Sequence, residues 1–103
     1  MSSPIRLRVE GGPHLGQTFV VERSGVTIGR QDGNDIVLDD ARLSRQHVRL
    51  DLRAGGLVVT DLGSANGTRV NGQPVRQAIL HAGDRLEFGS LQLEFAPYQI
   101  GQP

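Results

Sequence analysis

Three short stretches hold the residues with chemistry to offer: Gly29–Arg30, Ser44–Arg45–Gln46–His47, and Asn66 between Ala65 and Gly67. Arg30 closes a predicted strand. The planar donors of a guanidinium pair bidentately with oxyanions, so an arginine on a rigid strand end suits a carboxylate or a phosphate. Ser44 and Arg45 set a hydroxyl beside a cation where a loop enters the next strand, a combination suited to a dianionic phosphate. Asn66 has small neighbours that let another backbone come close. Its amide offers an acceptor and two donors, matching the N–H and C=O of an extended peptide. His47 lies beside a loop that needs anchoring and reads as a buried histidine bonded to backbone. Each feature taken singly has a plain alternative: a solvated arginine, a solvated loop, a tight connection.

Other chemistries fit poorly. Ser44, His47 and Asp61 include the side chains of a hydrolytic triad. A Ser-x-x-His spacing at a strand entry does not orient the imidazole, however, and no oxyanion-hole motif accompanies it. Asp32, Asp35, Asp39 and Asp40 lack the ligand spacing and closing Glu of a calcium loop. His14, His47 and His81 show no zinc spacing, and neither glycine-rich nucleotide-binding pattern occurs. No metal or cofactor is expected.

The elements that must carry these residues read as short strands. Ile5–Val9 alternates, with Ile5, Leu7 and Val9 on one face. Further strands are predicted at Gln17–Val21, Val26–Gly29, Ile36–Leu38, His47–Leu52, Leu57–Leu62, Thr68–Val70, Gln73–Val75, Ala78–Leu80, Arg85–Phe88 and Leu91–Phe95. Leu43 is the one apolar anchor of the loop Asp39–Ser44. Asn71–Gly72 supplies the positive φ of a two-residue type I′ hairpin. Leu80 to Gly89 reads as purely structural. Asp61–Leu62–Gly63–Ser64–Ala65–Asn66–Gly67–Thr68 reads as a structured turn, with two glycines and no charge after Asp61. No window keeps a helical apolar period, so ten or eleven strands at sandwich or barrel spacing are expected.

Composition agrees. The 103 residues suit one domain, with a core over about 5–95 and a tail or linker over 96–103. Three phenylalanines, one tyrosine and no tryptophan leave the core to Leu, Val and Ile. Eleven positive side chains, all arginine, balance eleven negative ones, against the basic excess usual for nucleic-acid binding. Without cysteine there are no disulfides or thiolate metal sites. No apolar run approaches the roughly 20 residues that span a bilayer, and the first residues carry no signal-peptide pattern. The expectation is a cytoplasmic domain, monomeric in isolation.

In this order, Gly29–Arg30, Ser44–Arg45–x–His47, Asp61–Leu62–Gly63–Ser64–x–Asn66–Gly67–Thr68, Asn71–Gly72, Gly83–Asp84 and Phe88–Gly89 resemble the forkhead-associated (FHA) domain over roughly residues 5–95. The resemblance implies an all-β, SMAD/FHA-like β-sandwich of two twisted, mostly antiparallel sheets with about eleven strands. It implies a phosphothreonine-peptide binding module of Ser/Thr kinase signalling, not an enzyme. By the family pattern Arg30, Ser44 and Arg45 contact the phosphate, and Asn66 bonds the peptide main chain. Gly29, His47 and Gly67 hold loop architecture. Arg42 and Arg69 are candidates for an acidic preference beside the phosphothreonine. One position departs: where the family often has a threonine whose hydroxyl adds a phosphate contact, this chain has Ala65. That departure leaves a second reading, a phospho-independent scaffold of the same fold docking a partner domain or its own parent chain.

Overall fold

The computed structural model describes residues 4–96. They form eleven strands and no helix: β1 Ile5–Gly11, β2 Thr18–Val21, β3 Val26–Gly29, β4 Ile36–Val37, β5 Val48–Arg53, β6 Gly56–Asp61, β7 Thr68–Val70, β8 Gln73–Pro74, β9 Gln77–Leu80, β10 Arg85–Phe88 and β11 Leu91–Ala96. A six-stranded sheet runs β2-β1-β11-β10-β7-β8 and a five-stranded sheet β4-β3-β5-β6-β9. Every pairing is antiparallel except β3 with β4. The architecture is an open sandwich, as the sequence pattern and the family resemblance both imply. Ala96, expected to open the tail, instead ends β11, where it pairs with Arg6; the rest of the expected tail, 97–103, lies outside the described residues.

The alternation of each strand dictates the sandwich. Ile5, Leu7 and Val9 of β1, Leu86 and Phe88 of β10, and Leu91, Leu93 and Phe95 of β11 are buried from one side. Val26 and Ile28, Val48 and Leu50, Leu57 and Val59, and Leu80 meet them from the other sheet. Burial of each such side chain contributes about 1.5–3 kcal/mol, so a one-residue slip of any central strand would forfeit several of these at once.

Strand bounds differ from the sequence reading by a residue or two, for local reasons. Leu62 leaves β6 because its N–H turns to His47 O at 2.9 Å. Leu38 leaves β4 with its N–H on Gly29 O at 3.1 Å, although its side chain is buried. Asn71 and Gly72 adopt φ of 51° and 83°, joining Val70 to Gln73 through the predicted two-residue turn.

Register places the loops at two poles. β3 ends at Gly29, β5 begins at Val48, β6 ends at Asp61 and β7 begins at Thr68, all at one pole. Phe88 pairs with both Thr68 and Leu91, which brings the Gly89–Ser90 turn to that pole as well. The β1–β2 loop joins it, because Gly11 pairs with Gln92.

Candidate functional site

Gly29 ends β3 against the loop that follows β4. A Cβ on Gly29 would stand 2.1 Å from Arg45 O, so the position is glycine for want of space. The close approach lets Arg30 N–H donate to Ser44 O at 3.1 Å and Gln31 N–H to Arg45 O at 3.3 Å. Arg30 Nε–H then donates to Leu43 O at 3.1 Å. One edge of the guanidinium is thereby fixed, and its two terminal nitrogens have no partner among the described residues.

Asn34 braces the same junction from the β3–β4 loop. Its buried side-chain amide donates to both Gln31 O and Arg45 O at 2.7 Å. The sequence reading gave Asn34 no role; its amide reaches Arg45, eleven positions away in sequence.

His47 is fully buried and ties two loops together. Its Nδ1 accepts Ser44 N–H at 3.1 Å, so the ring hydrogen resides on Nε2, which donates to Gly67 O at 2.9 Å. Its ring packs on Phe88, centroids 5.4 Å apart. The segment containing Phe88 therefore supports the site as well as the core.

The Asp61–Thr68 turn is organised by Asp61. One carboxylate oxygen accepts the N–H groups of Gly63 and Ser64, each at 2.8 Å. The other accepts the hydroxyls of Ser64 and Thr68, each at 2.6 Å. Burial pushes this carboxyl up, but the four hydrogen bonds outweigh burial and hold it below the usual carboxylate range. Ser64 Oγ also accepts Gly67 N–H at 3.0 Å. Gly67 itself has φ of 84° with open space around its missing side chain, so backbone conformation rather than crowding selects glycine there.

Ser44 Oγ accepts Ala65 N–H at 2.9 Å, which joins the two loops and leaves the hydroxyl hydrogen available to a ligand. Arg30, Ser44, Arg45, Leu62 and Ala65 line one open groove of about 500 Å³. Its lining carries two guanidinium groups and no carboxylate. Asn66 lies on the wall of a second cavity of about 230 Å³ that also holds Arg42, Arg69 and Glu87. Asn66 Nδ2 donates to Arg42 O at 2.8 Å, leaving a carbonyl and one N–H of its amide for other partners. The structure thus gathers Arg30, Ser44 and Arg45 in one groove and puts Asn66, Arg42 and Arg69 in its neighbour.

The geometry does not make a hydrolytic triad. The Ser44 group facing His47 is the backbone N–H, and Asp61 stands 4.0 Å from Nε2 while that nitrogen serves Gly67. Two guanidinium groups and the Ser44 hydroxyl border the same open space, an arrangement chemically suited to an anion.

Known proteins resemble this chain over nearly its whole length. Residues 8–99 match the family described as the cytoplasmic domain of the inner membrane component of T3SS. The glycogen accumulation regulator GarA of Mycolicibacterium smegmatis is 40% identical over 89 residues, covering 86% of this chain and 56% of that protein. The oxoglutarate dehydrogenase inhibitor of Corynebacterium diphtheriae is 39% identical over 89 residues, covering 86% of this chain and 62% of its own length. The chain therefore spans little more than half the length of these relatives. A domain solved in a study of phosphothreonine-dependent FHA domain interactions superposes with a TM-score of 0.82 at 26% identity, over 95% of this chain and 100% of that one.

Proposed function

This chain belongs to the forkhead-associated (FHA) domain family, and from that premise we propose that it binds phosphothreonine peptides and mediates phosphorylation-dependent protein–protein contact in Ser/Thr kinase signalling. The observation that carries the reading is the groove itself. Arg30 and Arg45 supply two cations, Ser44 a hydroxyl already oriented by Ala65 N–H, and no carboxylate opposes them. A phosphothreonine brings about −1.5 to −2 charge near neutral pH, and preformed arginine sites of this kind recognise phosphorylated motifs.

In the proposed complex the phosphate sits between Arg30, Ser44 and Arg45, and the peptide main chain crosses the turn at Asn66. The bond from Asn66 to Arg42 O pre-orients the amide for that task. Gly29, His47 and Gly67 keep the loops in place without touching ligand. Arg42 and Arg69 would favour an acidic residue beside the phosphothreonine. The matched family's description refers to a secretion apparatus. For this chain the arginine groove and the relatives' regulatory names favour signalling.

The domain acts by binding rather than catalysis. Its relatives are named as a regulator and an inhibitor, and Ser44 Oγ is not bonded to His47. A cytoplasmic setting suits the matched family's description. Among the described residues no helix is long and apolar enough to cross a membrane.

Titration of phosphothreonine peptides and their unphosphorylated forms, with Arg30→Ala beside the wild type, tests the reading. Binding should require the phosphate, weaken with salt as exposed charge pairs do, and be strongly weakened, though still measurable, in Arg30→Ala. Equal affinity for both peptide forms would sink it, and a partner bound as tightly by Arg30→Ala and Ser44→Ala as by the wild type would replace it with the scaffold reading.

A further inference from the structure

Asp40 has no place in the phosphate groove, yet it is one of the few buried ionisable side chains, 6% exposed. It sits in the β4–β5 loop ahead of Arg42, Leu43 and Ser44. One carboxylate oxygen accepts Arg42 N–H and Ser90 Oγ–H, each at 3.0 Å. The other accepts Ser90 N–H at 2.8 Å. Asp40 O accepts Leu43 N–H at 3.0 Å, closing a tight turn.

Leu43 is held on its other side too. It is 2% exposed and packs so closely on the β10–β11 turn that a Cβ on Gly89 would stand 2.7 Å from its Cδ2. The turn is itself fixed from behind, where a Cβ on Gly12 would stand 2.2 Å from Ser90 O. The carbonyl of Leu43 is the acceptor that holds Arg30 Nε–H. A continuous set of contacts therefore runs from Ser90 through Asp40 and Leu43 to the arginine at the groove.

We infer that Asp40 is a positioning residue for the anion groove, clamping the β4–β5 loop to the Ser90 turn so that Leu43 O fixes the guanidinium of Arg30. Its carboxylate meets three donors with two oxygens, and two of those donors are backbone N–H groups that cannot rotate away. Charge-assisted bonds of this kind are the strong ones. An amide at position 40 keeps the shape but cannot accept at both ends.

The test reads Arg30 directly. In the free protein, exchange of the Arg30 Nε–H with solvent is followed by NMR in the wild type, Asp40→Asn and Ser90→Ala. Faster exchange in Asp40→Asn, with a smaller acceleration in Ser90→Ala, is expected. Phosphothreonine-peptide titrations well below each variant's melting temperature supply the second readout. Asp40→Asn should weaken binding by about tenfold and Ser90→Ala by about threefold. In an Arg30→Ala background, Asp40→Asn should cost nothing further, because its effect passes through Arg30.

Unchanged Arg30 Nε–H exchange in folded Asp40→Asn overturns the inference, and so do losses that add in the double variant. Should Asp40→Asn fail to fold, a Ser90→Ala protein matching the wild type in both exchange and affinity overturns it as well. The binding arm rests on the phosphothreonine reading, whereas the exchange arm needs no ligand. A wild type that ignores phosphopeptides would therefore reject that reading while the hold of Asp40 on Arg30 is still measured.

Discussion

The backbone N–H of Ser44 donates to Nδ1 of His47 at 3.1 Å. A residue proposed to touch phosphate is thus positioned by a fully buried ring whose other nitrogen reaches the facing loop at Gly67. His47→Ala would leave Ser44 N–H and Gly67 O unpaired and a cavity against Phe88. A loss of about 2–4 kcal/mol in urea unfolding is expected, with weaker phosphopeptide binding. A variant as stable as the wild type would show that the two loops hold without the ring.

Ala65 presents a methyl group to the groove while its N–H serves Ser44 Oγ. Ala65→Thr keeps that backbone bond and adds a hydroxyl donor. One added hydrogen bond to a charged group, about 1.5–3 kcal/mol at best, should tighten phosphothreonine-peptide binding several-fold or more in calorimetric titration. No gain would mean that the hydroxyl does not reach the phosphate.

Asp61 links stability to pH. Its carboxyl is lowered from the ordinary 3.8 in the folded chain, so the ionised form is the one the fold favours. That contribution is complete above the unfolded value and is lost as pH falls through the lowered folded value. Asp40, raised by burial but lowered more by its bonds from Arg42 and Ser90, and Asp84, lowered by its bonds from His81 and Asn71, shift in the same direction. Stability from denaturant unfolding should therefore fall as the pH drops below about 4. In Asp61→Asn the fall should be shallower, and stability at neutral pH lower by about 1–2 kcal/mol. An unchanged acid slope in that variant would remove Asp61 as a cause.

Gly29→Ala should be among the costliest single-methyl changes in the domain. The new carbon would stand 2.1 Å from Arg45 O and 2.8 Å from Asn34 Nδ2, and a backbone oxygen cannot swing aside as a side-chain tip can. A loss of about 3 kcal/mol or more is expected in thermal or urea unfolding. Whatever protein folds should bind phosphopeptide poorly, since Arg30 and Arg45 would both shift. Wild-type stability and affinity would contradict the close approach.

The local part of this structure was legible in the sequence. Alternation in Ile5–Val9 and Leu91–Phe95 and the Asn71–Gly72 turn depend on neighbours in the chain, and strands and turn formed where those signals stood. Arg30, Ser44 and Arg45 could be nominated because strand ends and loop entries are visible as breaks in pattern. The braces were not legible. Ser90 meets Asp40 across fifty positions, and Asn34 meets Arg45 across eleven; no periodicity encodes such pairings. Asp40 was one aspartate among four in a polar stretch until burial set it apart. Asn66 shows the converse: its identity suggested an open clamp, whereas half of its donor capacity already serves Arg42.

Arg6 pairs with Ala96 and Ile5 with Val21 at the pole opposite the loops. The described chain thus enters and leaves the sandwich side by side, with the full length of β1 and β11 between those points and the groove. A fluorescent protein or a sensor surface joined to the domain at that pole would leave the arginines facing outward. On the phosphothreonine reading proposed above, such a molecule would serve as a reagent that reads phosphorylation on immobilised peptides.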